Sequence, residues 1–186
     1  MINLSNLFVT KASYNDAADL VQYMDALVNE ALPFVLHRDA PPSLDEELAF
    51  IRDHTDDKGC LLVARLDGNV VGVLSFRLYQ HNQMRHSGEL GMSVSKPFRR
   101  KGVGSRLIQA LVSWAKSHGV RRIELSVFSS NLDAIRLYTS LGFKVEGRQL
   151  GAIRVGMTYV DKILMCLHIN DDRVFSNNKE DSKDRT

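Results

Sequence analysis

The sequence predicts an α/β fold, an α+β arrangement in which a mixed sheet is flanked by about four helices. Strand-like apolar runs alternate with helix-like stripes along most of the 186 residues, a pattern typical of a layered domain. Two of these runs, "CLLVARL" and "VVGVLSFRLY", are separated by a turn with Asp67-Gly68 at its tip, which predicts a β-hairpin. The length suits one domain, which we expect over residues 7–168.

The first half of the chain is predicted to begin with a strand and two helices. A short strand is expected at residues 7–12, and residues 15–30 carry apolar side chains at helical spacing. Prolines interrupt residues 32–43, and Ser43 with Glu46 then forms a capping box that opens the second helix. The hairpin follows, and after a polar loop comes the strand "ELGMSV" at 89–94.

The second half is predicted to add two helices and three strands. A helix begins near residue 103, where apolar residues recur four positions apart and give one buried face. The strand "RIELSVF", a helix at 131–142 and two strands near 143–150 and 158–168 follow. Residues 170–186 mix charges with almost nothing to bury, which predicts a mobile C-terminal tail.

The composition is that of an ordinary globular protein, with 44% hydrophobic and 25% charged residues and a formal net charge of +2. That charge is too small to argue for a nucleic-acid partner. Cys60 and Cys166 lie within apolar runs, so we expect buried, reduced thiols. The N-terminus shows no signal-peptide pattern, and no run reaches the ~20 apolar residues of a membrane span. We therefore expect a cytoplasmic protein with no membrane partner.

The most informative stretch is "KPFRRKGVGSRLI", in which a basic cluster leads through two glycines into a helix. Gly102 and Gly104 allow a ligand to approach the backbone, and the free N–H groups of the first helical turn favour an anion. Arg99, Arg100 and Lys101 would add mobile positive charge, as a pyrophosphate requires. The alternative is a glycine-relieved turn with solvated basic residues.

Other ligands fit this stretch less well. A dinucleotide-binding fingerprint needs a third glycine where this chain has Leu107, and a Walker loop is absent from the sequence. The basic cluster is short and Phe98 is the aromatic residue within it, so we do not expect nucleic acid as a partner.

Two motifs resemble the GNAT superfamily of N-acetyltransferases. "VSKPFRRKGVGSRLI" is similar to its acetyl-CoA-binding motif, Arg/Gln-x-x-Gly-x-Gly/Ala, and "NLDAIRLYTSLGF" resembles its Asn-x-x-Ala-x-x-x-Tyr-x-x-x-Gly-Phe helix. The closing strands resemble a prokaryotic branch that includes small-molecule and amino-acid acetyltransferases. The resemblance covers residues 7–168 and implies the GNAT fold, in which two parallel strands of the central sheet splay apart.

The resemblance implies acetyl-CoA as co-substrate, and we expect no metal because the sequence contains no zinc-binding pattern. Its pyrophosphate would rest on backbone amides from about Arg100 to Ser105, and its pantetheine arm would lie like an added strand along residues 92–94. Gly91 is the expected place of the family's β-bulge, and an amide near Met92 or Ser93 would meet the oxyanion. The implied cofactor-binding residues are Met92, Ser93, Val94, Arg99, Arg100, Lys101, Gly102, Val103, Gly104, Ser105, Asn131, Ala134 and Tyr138.

Tyr138 is the general acid that the resemblance implies, because a phenol is protonated at neutral pH and can give its proton to the departing thiolate. Asn131 either orients the cofactor or caps its helix. Glu89 is the candidate general base, with His81 and His86 as alternatives. The sequence indicates no Cys/His pair and no cysteine at a helix N-terminus, so we expect direct attack in a ternary complex.

The acceptor is expected to be a small-molecule amine such as an amino acid. The family places the acceptor pocket at residues 28–50 and the final strands, where His37 and Arg38 could hold a carboxylate. Acidic residues in the same segment (Asp39, Asp45, Glu46 and Glu47) would favour a polyamine or amino sugar. Alternatively, the charged residues of this segment form a solvated surface and bind no acceptor. A ribosomal-protein or N-terminal peptide acceptor, and a non-catalytic acyl-CoA-sensing module, also stay open, as does a homodimer.

Overall fold

A computed structural model describes residues 4–30, 40–54 and 58–169. The predicted α/β class is confirmed. The described residues form, in chain order, β1 (Leu7–Lys11), α1 (Ala17–Asn29), α2 (Leu44–Asp53), β2 (Gly59–Leu66), β3 (Asn69–Leu78), β4 (Ser87–Val94), α3 (Val103–Ser117), β5 (Arg122–Phe128), α4 (Leu132–Ser140), β6 (Lys144–Val155) and β7 (Thr158–His168). Short 3-10 helices lie at Tyr14–Asp16, Asn82–Met84 and Lys96–Phe98.

The strands form one mixed sheet in the order β1-β2-β3-β4-β5-β7-β6. Its parallel neighbours are β4 and β5, which pair only where Ser87–Glu89 lies beside Arg122–Glu124. Both strands continue beyond that point, β4 to Val94 and β5 to Phe128. The two strands therefore splay apart as expected, and a cleft opens between their facing edges.

Helices cover the sheet on both faces because each face presents an apolar set. On one face, α3 places residues such as Leu107 and Leu111 against Phe76, Leu90 and Ile123 of the central strands. On the other face, α1 and α2 pack through a smaller cluster that consists of Ala12, Ala17, Leu20, Ile51, Leu61 and Val63. The cleft therefore opens towards α3 on one face of the sheet and towards α1 on the other.

The hairpin between β2 and β3 has the predicted tip. Asp67 has φ 48 and Gly68 has φ 85, the two left-handed residues that a tight hairpin turn requires. The bulge predicted at Gly91 is wrong, because β3 and β4 stay in continuous register, with Ser75 opposite Gly91. The splaying arises on the other side of β4, where pairing with β5 simply ends, so the ladder to β3 need not break.

The two cysteines are buried and free, as expected. Burial raises the pKa of the Cys60 thiol to about 11 and that of the Cys166 thiol to about 12. Within the described ranges, no helix combines the length and the apolar character that crossing a membrane requires. The candidate acceptor residues His37 and Arg38, and the tail predicted at 170–186, lie outside the described residues.

Candidate active site

The turn between β4 and α3 has the backbone of an anion cradle. Arg100 (φ 59) and Gly102 (φ 88) are both left-handed, with Lys101 between them, and such alternation points neighbouring N–H groups towards one side. Within the described part of the chain, the amides of residues 100–105 have no backbone acceptor. The next amide, that of Arg106, donates to Gly102 O at 3.1 Å. The amides of residues 100–105 are therefore available to an anion at the N-terminus of α3.

The two glycines of this turn have different roles. A Cβ on Gly102 would meet no heavy atom within 4 Å, so its left-handed φ is the reason for glycine there. A Cβ on Gly104 would lie 3.0 Å from Leu137 Cδ2 and 3.2 Å from Met92 Cε. Gly104 thus lets α3 pack closely against α4 and β4, which differs from the expected role of both glycines in ligand approach.

The three basic residues are also not equivalent. Arg99 Nε donates to Val94 O at 2.8 Å, and its guanidinium pairs with the carboxylate of Glu30. Lys101 Nζ donates to Pro97 O at 2.6 Å. Arg100 has no hydrogen-bond or ion-pair partner among the described residues. The expectation of three mobile charges is therefore wrong for Arg99, which is fixed within the fold, and it fits Arg100 best.

Beyond Glu89, the edge of β4 that faces the cleft pairs with no strand among the described residues. Met92 and Val94 turn their side chains into the core on the α3 side, whereas Ser93 Oγ accepts a hydrogen bond from Tyr23 OH of α1 at 2.9 Å. These side chains are used by packing, and only their backbone borders the cleft. An extended ligand with amide groups can pair with such an edge.

Tyr138 lies on α4 in a setting that keeps its phenol neutral. The residue is 6% exposed and its ring packs 5.5 Å from that of Phe143. Burial raises the pKa of Tyr138 to about 12. Its hydroxyl has no hydrogen-bond partner among the described residues, whereas every fully buried side-chain N or O atom there has one. The hydroxyl therefore reaches the surface and can donate to a ligand.

Asn131 caps α4. Its Oδ1 accepts a hydrogen bond from Ala134 N at 3.2 Å, which satisfies one of the free amides at the helix N-terminus. The structural alternative for Asn131 is thus observed, and its role in orienting a cofactor stays a prediction.

Glu89 is exposed at the last paired position of the parallel strands, beside Glu124 in β5. On its other side, Arg77 of β3 is directly opposite in the antiparallel register. Ser126 Oγ donates to Glu89 Oε1 at 3.4 Å. His81 and His86 lie exposed in the loop before β4. The candidate base therefore has a second carboxylate and a guanidinium as neighbours on the face opposite α3.

Glu124 is more fully engaged than Glu89. Tyr79 OH donates to its Oε2 at 3.1 Å and Arg122 Nε donates to its Oε1 at 2.7 Å. Partial burial, together with the charge of Glu124, raises the pKa of Tyr79 to about 12. Sequence reasoning missed both Arg77 and Glu124. The signal was a charged residue inside an apolar strand-like run, "SFRLY" and "RIELS", which marks a polar strip on one sheet face.

Cys166 and His168 form a pair that sequence reasoning did not expect. Cys166 Sγ lies 3.7 Å from His168 Nε2, and that nitrogen lies 3.9 Å from Glu146 Oε1. The two residues are i and i+2 on one strand and so share a face, which corrects the expectation of no Cys/His pair. Arg122 donates to both Glu146 oxygens and lowers the pKa of that carboxyl. Because burial keeps the Cys166 thiol neutral, the pair does not provide a nucleophile.

The acidic residues of α2 mainly serve the helix. Ser43 N donates to Glu46 Oε2 at 2.7 Å and Glu46 N donates to Ser43 Oγ at 3.2 Å, which confirms the predicted capping box. Glu47 is buried, with 5% exposure. Asp45 is exposed in the first turn. This helix therefore does not present three free carboxylates to a polycation.

Comparison with known proteins gives a family match and similar folds. The model of the Acetyltransferase (GNAT) family matches residues 22–143. An L-amino acid N-acetyltransferase from Escherichia coli (strain K12) is 37% identical over 109 residues, which are 56% of this chain and 65% of that protein. The chain thus spans slightly less than two thirds of that relative's length.

Two solved structures have the same architecture. An acetyltransferase of the GNAT family from Streptococcus pneumoniae gives a TM-score of 0.82 at 28% identity, over 88% of this chain and 99% of that chain. The structure of yncA from Salmonella typhimurium with its cofactor acetyl-CoA gives 0.80 at 22% identity, over 91% and 98% of the two chains. At that identity the second likeness concerns the fold alone.

Proposed function

Because the chain belongs to the GNAT family of acetyltransferases, as its two motifs predicted, we propose that it transfers the acetyl group of acetyl-CoA to the α-amino group of a small amino acid. The observation that carries the acceptor choice is the opposition of Arg77 and Glu89 across β3 and β4, on the face away from α3. One cationic and one anionic residue at opposed strand positions match the two charges of a zwitterion.

The cofactor part of the proposal uses backbone groups. The amides of residues 100–105 would hold the pyrophosphate, and the exposed Arg100 side chain would add charge. The free edge of β4 from Leu90 to Val94 would pair with the pantetheine amides. Bound there, acetyl-CoA supplies the thioester. An amide near Met92 or Ser93 would stabilise the oxyanion that forms on attack.

Two side chains would move protons. Glu89 would accept a proton from the acceptor ammonium, directly or through water, and Tyr138 would give its proton to the departing thiolate. The neutral, surface-reaching phenol of Tyr138 supports this role. A single exposed carboxylate suits an α-amine, because its pKa of ~7.8 leaves a sizeable neutral fraction at neutral pH, whereas a lysine at ~10.4 is almost wholly charged. The intact pair favours an enzyme over an acyl-CoA-sensing module.

The acceptor would place its ammonium near Glu89 and Glu124 and its carboxylate on Arg77. Arg77 is exposed and has no ion-pair or hydrogen-bond partner among the described residues. A polyamine has no anion to offer to Arg77, and its own positive charges would be repelled by that side chain. The relative from Escherichia coli, an L-amino acid N-acetyltransferase, supports the same substrate class. His37 and Arg38 stay predicted carboxylate ligands as well.

The test compares an L-amino acid with its α-amide as acceptors, in the wild type and in Arg77→Ala. The variant should raise KM for the amino acid at least ~10-fold with little change in kcat, since it removes binding shared by ground and transition states. The amide lacks the carboxylate, so its KM should not move. Arg121→Ala, which removes an exposed arginine just before β5, is the matched control. Equal effects on both acceptors would contradict the role of Arg77.

A further inference from the structure

Glu30, the C-cap residue directly after α1, reaches from the helix to the turn between β4 and α3. Its Oε1 accepts a hydrogen bond from Lys96 N at 2.9 Å, and its Oε2 pairs with the guanidinium of Arg99. The side chains of Glu30 and Arg99 are only 15% and 27% exposed. A mostly buried carboxylate whose two oxygens each accept a hydrogen bond is far more constraining than an ion pair in open solvent.

Arg99 passes this contact on to the sheet. Its Nε donates to the carbonyl of Val94, the last residue of β4, at 2.8 Å. Tyr23, seven residues before Glu30 and so on the same side of α1, donates to Ser93 Oγ at 2.9 Å. The C-terminal half of α1 is thus tied to the end of β4 and to the turn that follows it.

The turn needs such support because of its backbone. Arg100 is left-handed at φ 59, a conformation that a residue with a Cβ keeps only when the surrounding structure fixes it. Arg99, directly before it, is fixed by Glu30 and Val94. Lys101, directly after it, is tied to Pro97 O. The strained residue is therefore held from both sides.

We propose that Glu30 is a positioning residue for acetyl-CoA, which holds Arg99 and Lys96 so that the amides of residues 100–105 face the pyrophosphate. The inference rests on the cofactor site proposed above. It makes Arg99 a support of the turn instead of a phosphate ligand. The two roles predict opposite changes in acetyl-CoA affinity when the Glu30 side chain is removed. If Arg99 bound phosphate, Glu30 would compete for it and its removal would tighten binding; as a support, its removal weakens binding.

The experiment measures the Kd of acetyl-CoA by isothermal titration calorimetry for the wild type, Glu30→Ala and Asp25→Ala. Asp25 is an exposed acid of the same helix and contacts neither the turn nor β4, so its variant controls for the lost charge. Glu30→Ala should weaken binding about 10-fold, and Asp25→Ala should leave it unchanged. KM for S-acetylpantetheine, which lacks the pyrophosphate, should be the same in all three proteins.

Each other outcome is informative. Wild-type protein that does not bind acetyl-CoA refutes the proposed function together with this inference. Wild-type binding with unchanged or tighter binding in Glu30→Ala overturns the inference alone. If Glu30→Ala raised the Kd of acetyl-CoA and the KM for S-acetylpantetheine by the same factor and also lowered the Tm, Glu30 would only stabilise the fold. Should Glu30→Ala fail to fold, Glu30→Gln keeps one hydrogen-bond acceptor and should weaken acetyl-CoA binding by a few-fold; unchanged binding there contradicts the proposal.

Discussion

Glu89 and Glu124 are directly beside each other at the last paired position of the parallel strands β4 and β5. The point at which the cleft opens is therefore also the point at which two carboxylates meet on one face. Tyr79 and Arg122 already bond to Glu124, whereas Glu89 accepts only a long contact from Ser126 in the described part of the structure. This difference supports the proposed role of Glu89, and not of Glu124, as the proton acceptor.

Glu89→Gln should lower kcat/KM for an α-amino acceptor, and the loss should shrink as the pH rises through about 8. The reason is that an α-amine with a pKa of ~7.8 then loses its proton to solvent without help. A pH series of kcat/KM for wild type and variant measures this. Glu124→Gln, in which Glu89 is kept, should show no such convergence. A loss that is constant with pH would mean that Glu89 positions the acceptor and is not the base.

Tyr138→Phe should reduce kcat by ~10²-fold or more and leave the Kd of acetyl-CoA nearly unchanged, because it removes a proton donor and little else. Rapid-quench or steady-state turnover gives the first quantity and calorimetry the second. Tyr159→Phe removes a hydroxyl from a 71% exposed tyrosine of the β6–β7 hairpin and is the control. Turnover of Tyr138→Phe within twofold of the wild type would leave the residue as packing alone.

The pH dependence of kcat should show no fall caused by Tyr138 up to about pH 10. Burial favours the neutral phenol and raises its pKa from 10.0 to about 12, so the proton stays in place well above the ordinary value. Because the folded protein holds this proton more tightly than the unfolded chain, the stability that comes from burying a neutral Tyr138 is fully present below pH 10.0. It is lost as the pH rises towards about 12. A descending limb near pH 9 that disappears in Tyr138→Phe would show an unshifted phenol.

Gly102→Ala should weaken acetyl-CoA binding strongly, because a Cβ disfavours the left-handed φ of 88 that shapes the turn. Gly119→Ala is a matched control. Gly119 also has a positive φ, of 68, and open space around its Cβ position, but it lies at the opposite end of α3. Both variants should lose similar stability in thermal melts. Equal acetyl-CoA affinity in the two variants would argue against the turn as the pyrophosphate site.

Much of the fold was predictable because it follows from local rules. The Ser43–Glu46 capping box, the Asp67-Gly68 hairpin and the four-residue spacing of α3 are each set by neighbouring residues in the sequence. The turn before α3 belongs to the same class at Gly102, since glycine marks it, whereas the left-handed Arg100 was not predicted.

The way in which the charges of the site pair with one another was not predictable, because it depends on contacts between distant segments. Nothing in the sequence around Arg99 indicates that it pairs with Glu30, which lies 69 residues away in the chain. Arg77 and Glu124 meet Glu89 only through the register of β3 and β5 with β4. Gly104 is explained by Leu137, a residue of another helix. Register and helix packing are tertiary properties, and one sequence constrains them weakly.

Acetyl transfer from acetyl-CoA to a free amino acid can be tested with a single panel of acceptors. Purified protein is incubated with acetyl-CoA and, separately, the L-amino acids, their α-amides, spermidine, and a peptide with a free N-terminus. Released CoA thiol is measured, and the acetylated product is identified by mass spectrometry. We expect N-acetylation of one or a few L-amino acids, with slower reaction of their amides. Efficient acetylation of spermidine or the peptide, with no amino acid accepted, would contradict it.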